Sequence, residues 1–214
     1  MKSILSLIIV LLVLLTSCGE QVVNPEKINS LPPVFPDYTG VTIPASIAPL
    51  NFVLTTNYEQ IDVTITGKGG VIHLQESRVA AISPKEWSAL LDKSKGDSLQ
   101  VIVAAKENGK WKQYLPFSVY VSSEPIEYGL VYRLIAPGYE VWSKMGIYQT
   151  DLHTAEQSTI LDNKLMAPNC MNCHTFPKNN PKKMSLHIRG ANGATALVQD
   201  KNIEMLSTKT EQMI

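Results

Sequence analysis

Hydrophobic and polar positions alternate through the first half of the chain. In "QIDVTITGKGGVIHL", Ile61, Val63 and Ile65 share one side of an extended segment, a glycine-rich turn occupies 67–70, and 71–74 runs back. A period of two predicts a half-buried strand, so this stretch is expected to form a hairpin. "SLQVIVAAKENGKWKQYLPFSVYV" repeats the pattern around Asn108 and Gly109, a dipeptide that accepts the positive φ angles of a type I′ turn. Strands are expected near 99–105 and 110–121. Between the hairpins the period becomes helical: "SPKEWSALLDKSKG" offers Ser83 as N-cap, Pro84 in the first turn, Glu86 as the return partner of a capping box, and Gly96 as the stop. Trp87, Leu90 and Leu91 form its apolar stripe, which predicts core packing.

The pattern changes twice more. Residues 19–44 carry prolines and polar residues without a sustained apolar period, and predict an extended tether that begins to lie along a folded domain in its second half. "YGLVYRLIAPGYEVWSKMGIYQTDL" continues the β pattern, so a mainly β, β-sandwich-like domain with one helix is expected over 45–140. From about 163 to 200 the proline and glycine content rises again, and this segment is expected to be loop-rich and unable to form its own core.

The remaining composition narrows the choice of chemistry. Lys plus Arg and Asp plus Glu are balanced at 19 each, which leaves no net field for nucleic acid. The first 18 residues, "MKSILSLIIVLLVLLTSC", have a basic start, an apolar run and small residues before Cys18. They predict a signal peptide rather than a membrane span, and "LTSC" has the form of a lipobox whose cysteine is acylated in a bacterial lipoprotein. Acyl chains bury methylene groups at about 0.8 kcal/mol each, so lipid on Cys18 would hold the chain to a membrane of the cell envelope. The alternative is an uncleaved signal anchor with an incidental cysteine. Export also makes idle thiols unusual, and only Cys170 and Cys173 remain.

Those two cysteines stand in "NCMNCHTF", a C-x-x-C-H motif. Two thiols at this spacing suit the two vinyl groups on one edge of a porphyrin, and the following histidine suits the iron. One covalent haem c is therefore expected, attached through Cys170 and Cys173 with His174 as proximal ligand, on a short helical turn begun by Pro168 and Asn169. The distal ligand is expected from His187 or, alternatively, Met184, which lie three apart so that one helical turn would put both on one face. Arg189 is a candidate contact for a haem propionate. Two rivals stay open: zinc, with Cys170, Cys173, His187 and His153 as ligands, and a dithiol redox pair. His73 and His153 are expected to be ordinary satisfied histidines. No nucleophile elbow, phosphate loop or H-E-x-x-H occurs, so an electron carrier or binding protein is expected rather than an enzyme.

"YTGVTIPASIAPLNF", "LVYRLIAPGYEVWSKMGIYQTDL", "NCMNCHTF" and "MSLHIRGANGATAL" together resemble a family of TolB-like bacterial lipoproteins that carry a single cytochrome c motif and a β-propeller. The resemblance implies that 141–214 holds the first propeller strands, with the haem segment inserted at about 163–200, and that "GIYQTDLHTAEQSTIL" and "IEMLSTKTEQMI" are blade strands. It further implies that the chain corresponds to the N-terminal half of such a protein, a truncated propeller. Two functions of different class follow as expectations: electron transfer with redox partner proteins of the envelope, or a TolB-like binding or scaffold role with a structural or sensory haem. A haem peroxidase is a weaker third, since no distal catalytic constellation is visible.

Overall fold

The computed structural model describes residues 20–135, 137, 145–163, 170–190, 193–200 and 202–208. The expected signal sequence with Cys18, and the Pro168–Asn169 pair, lie outside these residues. The protein is mainly β, and the chain divides into two compact units, Met1–Ile126 and Glu127–Ile214.

The first unit is built on a seven-stranded sheet. Its central strand is β7 (Ser98–Glu107), which pairs with β5 (Gln60–Gly67), and β5 in turn pairs with β6 (Gly70–Glu76), all antiparallel. The alternation in the sequence decides the faces: Ile61, Val63 and Ile65 point into the core with exposures of 0%, 0% and 2%. Asn108 and Gly109 turn β7 into β8 (Lys110–Gln113) with φ of 51° and 73°, as the type I′ reading requires. The single strand expected over 110–121 is two strands, because Pro116 lacks the N–H that a continuous ladder needs. β8 and β9 (Phe117–Ser122) pair in succession with the same edge of β7.

The helix, α1 (Pro84–Lys93), forms where expected and buries Trp87, Leu90 and Leu91 against the sheet. Ser83 is its N-cap, but its side chain makes no capping bond, so the expected capping box is not closed. The indole N–H of Trp87 donates to the Ile47 carbonyl at 3.0 Å, which satisfies the polar atom of this buried ring. The turn between β5 and β6 lies tightly on the helix. A Cβ on Gly69 would stand 2.8 Å from both the Cα and the carbonyl oxygen of Leu90, so helix backbone fills the space a side chain would need.

The expected tether, 19–44, is extended but docked. β1 (Glu26–Lys27) runs parallel to β8, β2 (Val34–Phe35) pairs with β4 (Val53–Leu54), and β3 (Thr42–Pro44) runs parallel to β9. Even Glu20 is held: its carboxylate meets Lys106 Nζ at 2.5 Å, and its carbonyl accepts from Gln75 Nε2 at 2.7 Å. A proline-rich segment has few internal hydrogen bonds to lose, and open sheet edges offer its N–H and C=O groups partners. The sequence pattern shows the first property and not the second.

The second unit begins earlier than the expected boundary at 140. β10 (Gly129–Leu134) pairs with β11 (Gly146–Asp151), and β11 with β12 (Gln157–Asp162), in an antiparallel meander. The β pattern at 129–134 was legible, but alternation does not say which sheet a strand joins. A second antiparallel sheet follows: β13 (Cys170–Thr175), β14 (Lys183–Arg189), β15 (Ala194–Gln199) and β16 (Asn202–Leu206), in that order. The segment expected to be loop-rich thus supplies three strands. Pro177, Pro181, Gly190 and Gly193 sit between the strands, while Met184, Leu186 and Ile188 alternate inward and pack with Ile147 of β11.

Two outcomes follow. Gly69→Ala is expected to lower the unfolding free energy by about 1–3 kcal/mol through this clash, whereas Gly109→Ala, with open space around it, pays only the positive-φ cost of about 1–2 kcal/mol; urea denaturation of the two variants checks both values. The hydrogen bond from Lys106 holds the Glu20 carboxyl below its ordinary pKa. The folded value is therefore depressed, and the contact stabilises docking above the unfolded pKa and is lost as pH falls through the folded one. Amide exchange at 20–28, corrected for intrinsic rate, is expected to speed up on acidification in the wild-type chain and to be already fast at neutral pH in Glu20→Gln.

Candidate haem-attachment site

The C-x-x-C-H motif lies on the edge strand β13, not on the expected helical turn. In a regular strand, residues three apart point to opposite faces. Here the register with β14 shifts between Met171 and Cys173, so Asn172 is an extra residue in the ladder. Cys170 stands opposite Arg189 and Cys173 opposite His187. His187 and Arg189 are two apart on β14 and share a face, and paired residues face the same way. The bulge therefore brings both thiols to one face of the sheet. Both cysteines are free, Cys173 exposed and Cys170 half-buried.

The same register carries His174 to the other face, opposite Leu186, which is 4% exposed. Met171, opposite Ile188, is fully buried on that side. The Nδ1 atom of His174 is buried without a hydrogen-bond partner, and its ring meets the edge of Phe176 at 6.5 Å. An unpaired buried polar atom costs about 1–3 kcal/mol, so this imidazole sits in a position that a further partner would relieve.

The two distal candidates separate for the same reason. His187 is on the thiol face, while Met184, buried, is on the face of Leu186 and His174. The expectation that both occupy one face rested on helical spacing, and residues three apart on a regular strand such as β14 point opposite ways. Arg189 is exposed and, with His187, lines an open hollow of about 410 Å³ that extends to Met205 and Thr208. His187 is oriented from its other side: Nδ1 lies 3.0 Å from Thr195 Oγ1, which lies 2.9 Å from Thr208 Oγ1. Neither threonine stood out in the sequence, because "GAT" and "STKT" have no spacing that announces a histidine partner.

The remaining histidines have local partners. His73 Nε2 is 2.8 Å from Asp62 Oδ2, across the β5–β6 pair. His153 sits in the β11–β12 turn, where its N–H donates to Asp151 Oδ1 at 2.7 Å and its ring lies 6.1 Å from that of Tyr128. Among the described residues, no group of three or more His, Cys, Asp and Glu side chains is arranged to hold a metal ion, so the four proposed zinc ligands are not assembled.

The bulge is open to a direct chemical check. A trivalent arsenical, which needs two thiols on one side, is expected to bind the reduced, haem-free chain, and moving the first thiol by one residue, with Cys170→Ala and Met171→Cys, is expected to abolish this, because position 171 is buried on the other face opposite Ile188. Retention of binding in that variant would show that positions 171 and 173 share a face, as in a regular strand, and that the ladder is not bulged.

No protein-family model matches the chain, and no curated protein matches it either.

Proposed function

We propose that the chain is a monohaem c-type cytochrome-like protein of the cell envelope, held to a membrane by lipid on Cys18 and used for one-electron transfer. The observation that carries this reading is the pair of free thiols in C-x-x-C-H that a bulge turns to one accessible face, beside His187 and Arg189. The donor chemistry fits a haem: two thiols for thioether bonds, imidazoles for iron and a guanidinium for a propionate.

The haem would supply the one-electron redox couple. Cys170 and Cys173 would fix it to β13 and His187 would approach from the thiol face. His174 lies across the strand from the thiols, so its proximal role requires this part of β13 to turn. An edge strand, bonded along one side only, can do so at the expense of its ladder with β14. The unpartnered Nδ1 of His174 lowers the cost of moving it, since no hydrogen bond is broken at that atom. Among the described residues no helix is long and apolar enough to cross a membrane, so attachment rests on the Cys18 reading.

A second reading, an envelope binding or scaffold protein with a structural or sensory haem, is favoured by one observation. The two antiparallel sheets of the second unit share a core of Ile147, Met184, Leu186 and Ile188, and β16 leaves Ile203 and Met205 68% and 55% exposed, an apolar surface that a polypeptide partner could cover.

Co-expression with a periplasmic haem-attachment system is expected to give a band that stains for haem on a denaturing gel and a pyridine haemochrome spectrum with both vinyl groups saturated. Cys170→Ala or Cys173→Ala is expected to leave one thioether, and the double variant none. Zinc in place of haem under these conditions would sink the proposal. Electron transfer further requires a low-spin, six-coordinate spectrum with reversible reduction, whereas a sensor would show an open or exchangeable position.

A further inference from the structure

We infer that Thr195 is a positioning residue that gives its own proton to Thr208, accepts Nδ1–H of His187 and so leaves Nε2 as the nitrogen that ligates iron; this rests on the haem c reading above. The row Cys173–His187–Thr195 crosses three adjacent strands, β13, β14 and β15, so the imidazole has a thiol on one side and a hydroxyl on the other. The hydroxyl is bonded at Nδ1, 3.0 Å away. His187 and Thr208 both line the hollow that Arg189 borders, so the ring is accessible from solvent.

A neutral imidazole has one N–H and one lone pair, and the bond made at one nitrogen decides which is left at the other. Each threonine hydroxyl has one proton to give and two lone pairs to receive with, so at the His187 contact Thr195 either donates to Nδ1 or accepts Nδ1–H. If Thr195 donates to Nδ1, the His187 proton is on Nε2, which then cannot ligate. If Thr195 instead donates to Thr208 Oγ1, 2.9 Å away, its own oxygen accepts Nδ1–H and Nε2 presents its lone pair. Thr208 gives the Thr195 proton a partner other than Nδ1, which favours the second arrangement. Hydrogen bonds of this kind to the far nitrogen of a ligand histidine hold the ring and raise its basicity. A more basic ligand favours ferric iron, so the reduction potential should fall when the bond is present.

The test uses the full chain, haem-loaded and haem-free, with Thr195→Val, Thr195→Ser and His187→Ala. In the loaded protein, His187→Ala is expected to lose the low-spin six-coordinate spectrum. Thr195→Val is expected to keep covalent haem but raise the reduction potential, and Thr195→Ser to return it to the wild-type value. In the haem-free chain at alkaline pH, nitrogen NMR is expected to show His187 protonated on Nδ1 in wild type and Thr195→Ser, with mixed tautomers in Thr195→Val. An Nε2–H tautomer in the wild type, a wild-type potential in Thr195→Val, or an unchanged spectrum in His187→Ala would each overturn the inference while leaving covalent haem in place. Absence of haem staining would overturn the haem c reading and the ligand role together.

Discussion

The antiparallel pairing of Cys170–Thr175 with Lys183–Arg189 assigns every donor of the candidate site to a side of the sheet. A strand has only two faces, and a residue left out of the ladder sets which of them each residue beyond it takes. With Asn172 bulged out of the pairing, the two thiols fall together with His187 and Arg189, and His174 falls with Met184 and Leu186. Neither grouping results from attraction between the donors themselves. Both follow from backbone hydrogen bonding and from the demand that Met171, Leu186 and Ile188 be buried.

That demand explains why the second unit tolerates so polar a motif. The buried side of β14 contributes Met184, Leu186 and Ile188 to a small core completed by Ile147, with Val131, Leu161 and Phe176 at its margin. Burial of side chains of this size contributes about 1.5–3 kcal/mol each, which is enough to hold β14 in register. The opposite side of the same strand is then free to carry a lysine, a serine, a histidine and an arginine. Chemistry and packing are divided between the two faces of one strand.

Much of this was legible in the sequence where local physics decides the outcome. Asn108–Gly109, the stripe Trp87–Leu90–Leu91 and the alternation of Ile61, Val63 and Ile65 each encode their own geometry. The Cys170–Cys173–His174 triplet is equally plain as a motif, but its spacing does not give the faces its members take. What escaped was set by partners distant in the chain: β10 joins β11 rather than the first sheet, and the proline-rich 26–44 finds open strand edges. The faces of the site escaped for a subtler reason. Spacings of three and one were read with a helical ruler, and a bulge that depends on the facing strand cannot be seen from the motif itself. Thr195 and Thr208 were missed similarly, since only the β15 register brings either to His187.

The docking of Glu20 sets how far the proposed lipid on Cys18 would let the first unit stand from a membrane. It stands two residues after Cys18, and a fully extended chain spans at most about 3.3–3.6 Å per residue. Lipid on that cysteine would thus keep the outer surface of the seven-stranded sheet, around Gln75 and Lys106, within about 7 Å of the anchor. Such a protein would ride against the headgroups as a raft rather than swing on a leash, and its encounters with partners would be confined largely to diffusion in two dimensions.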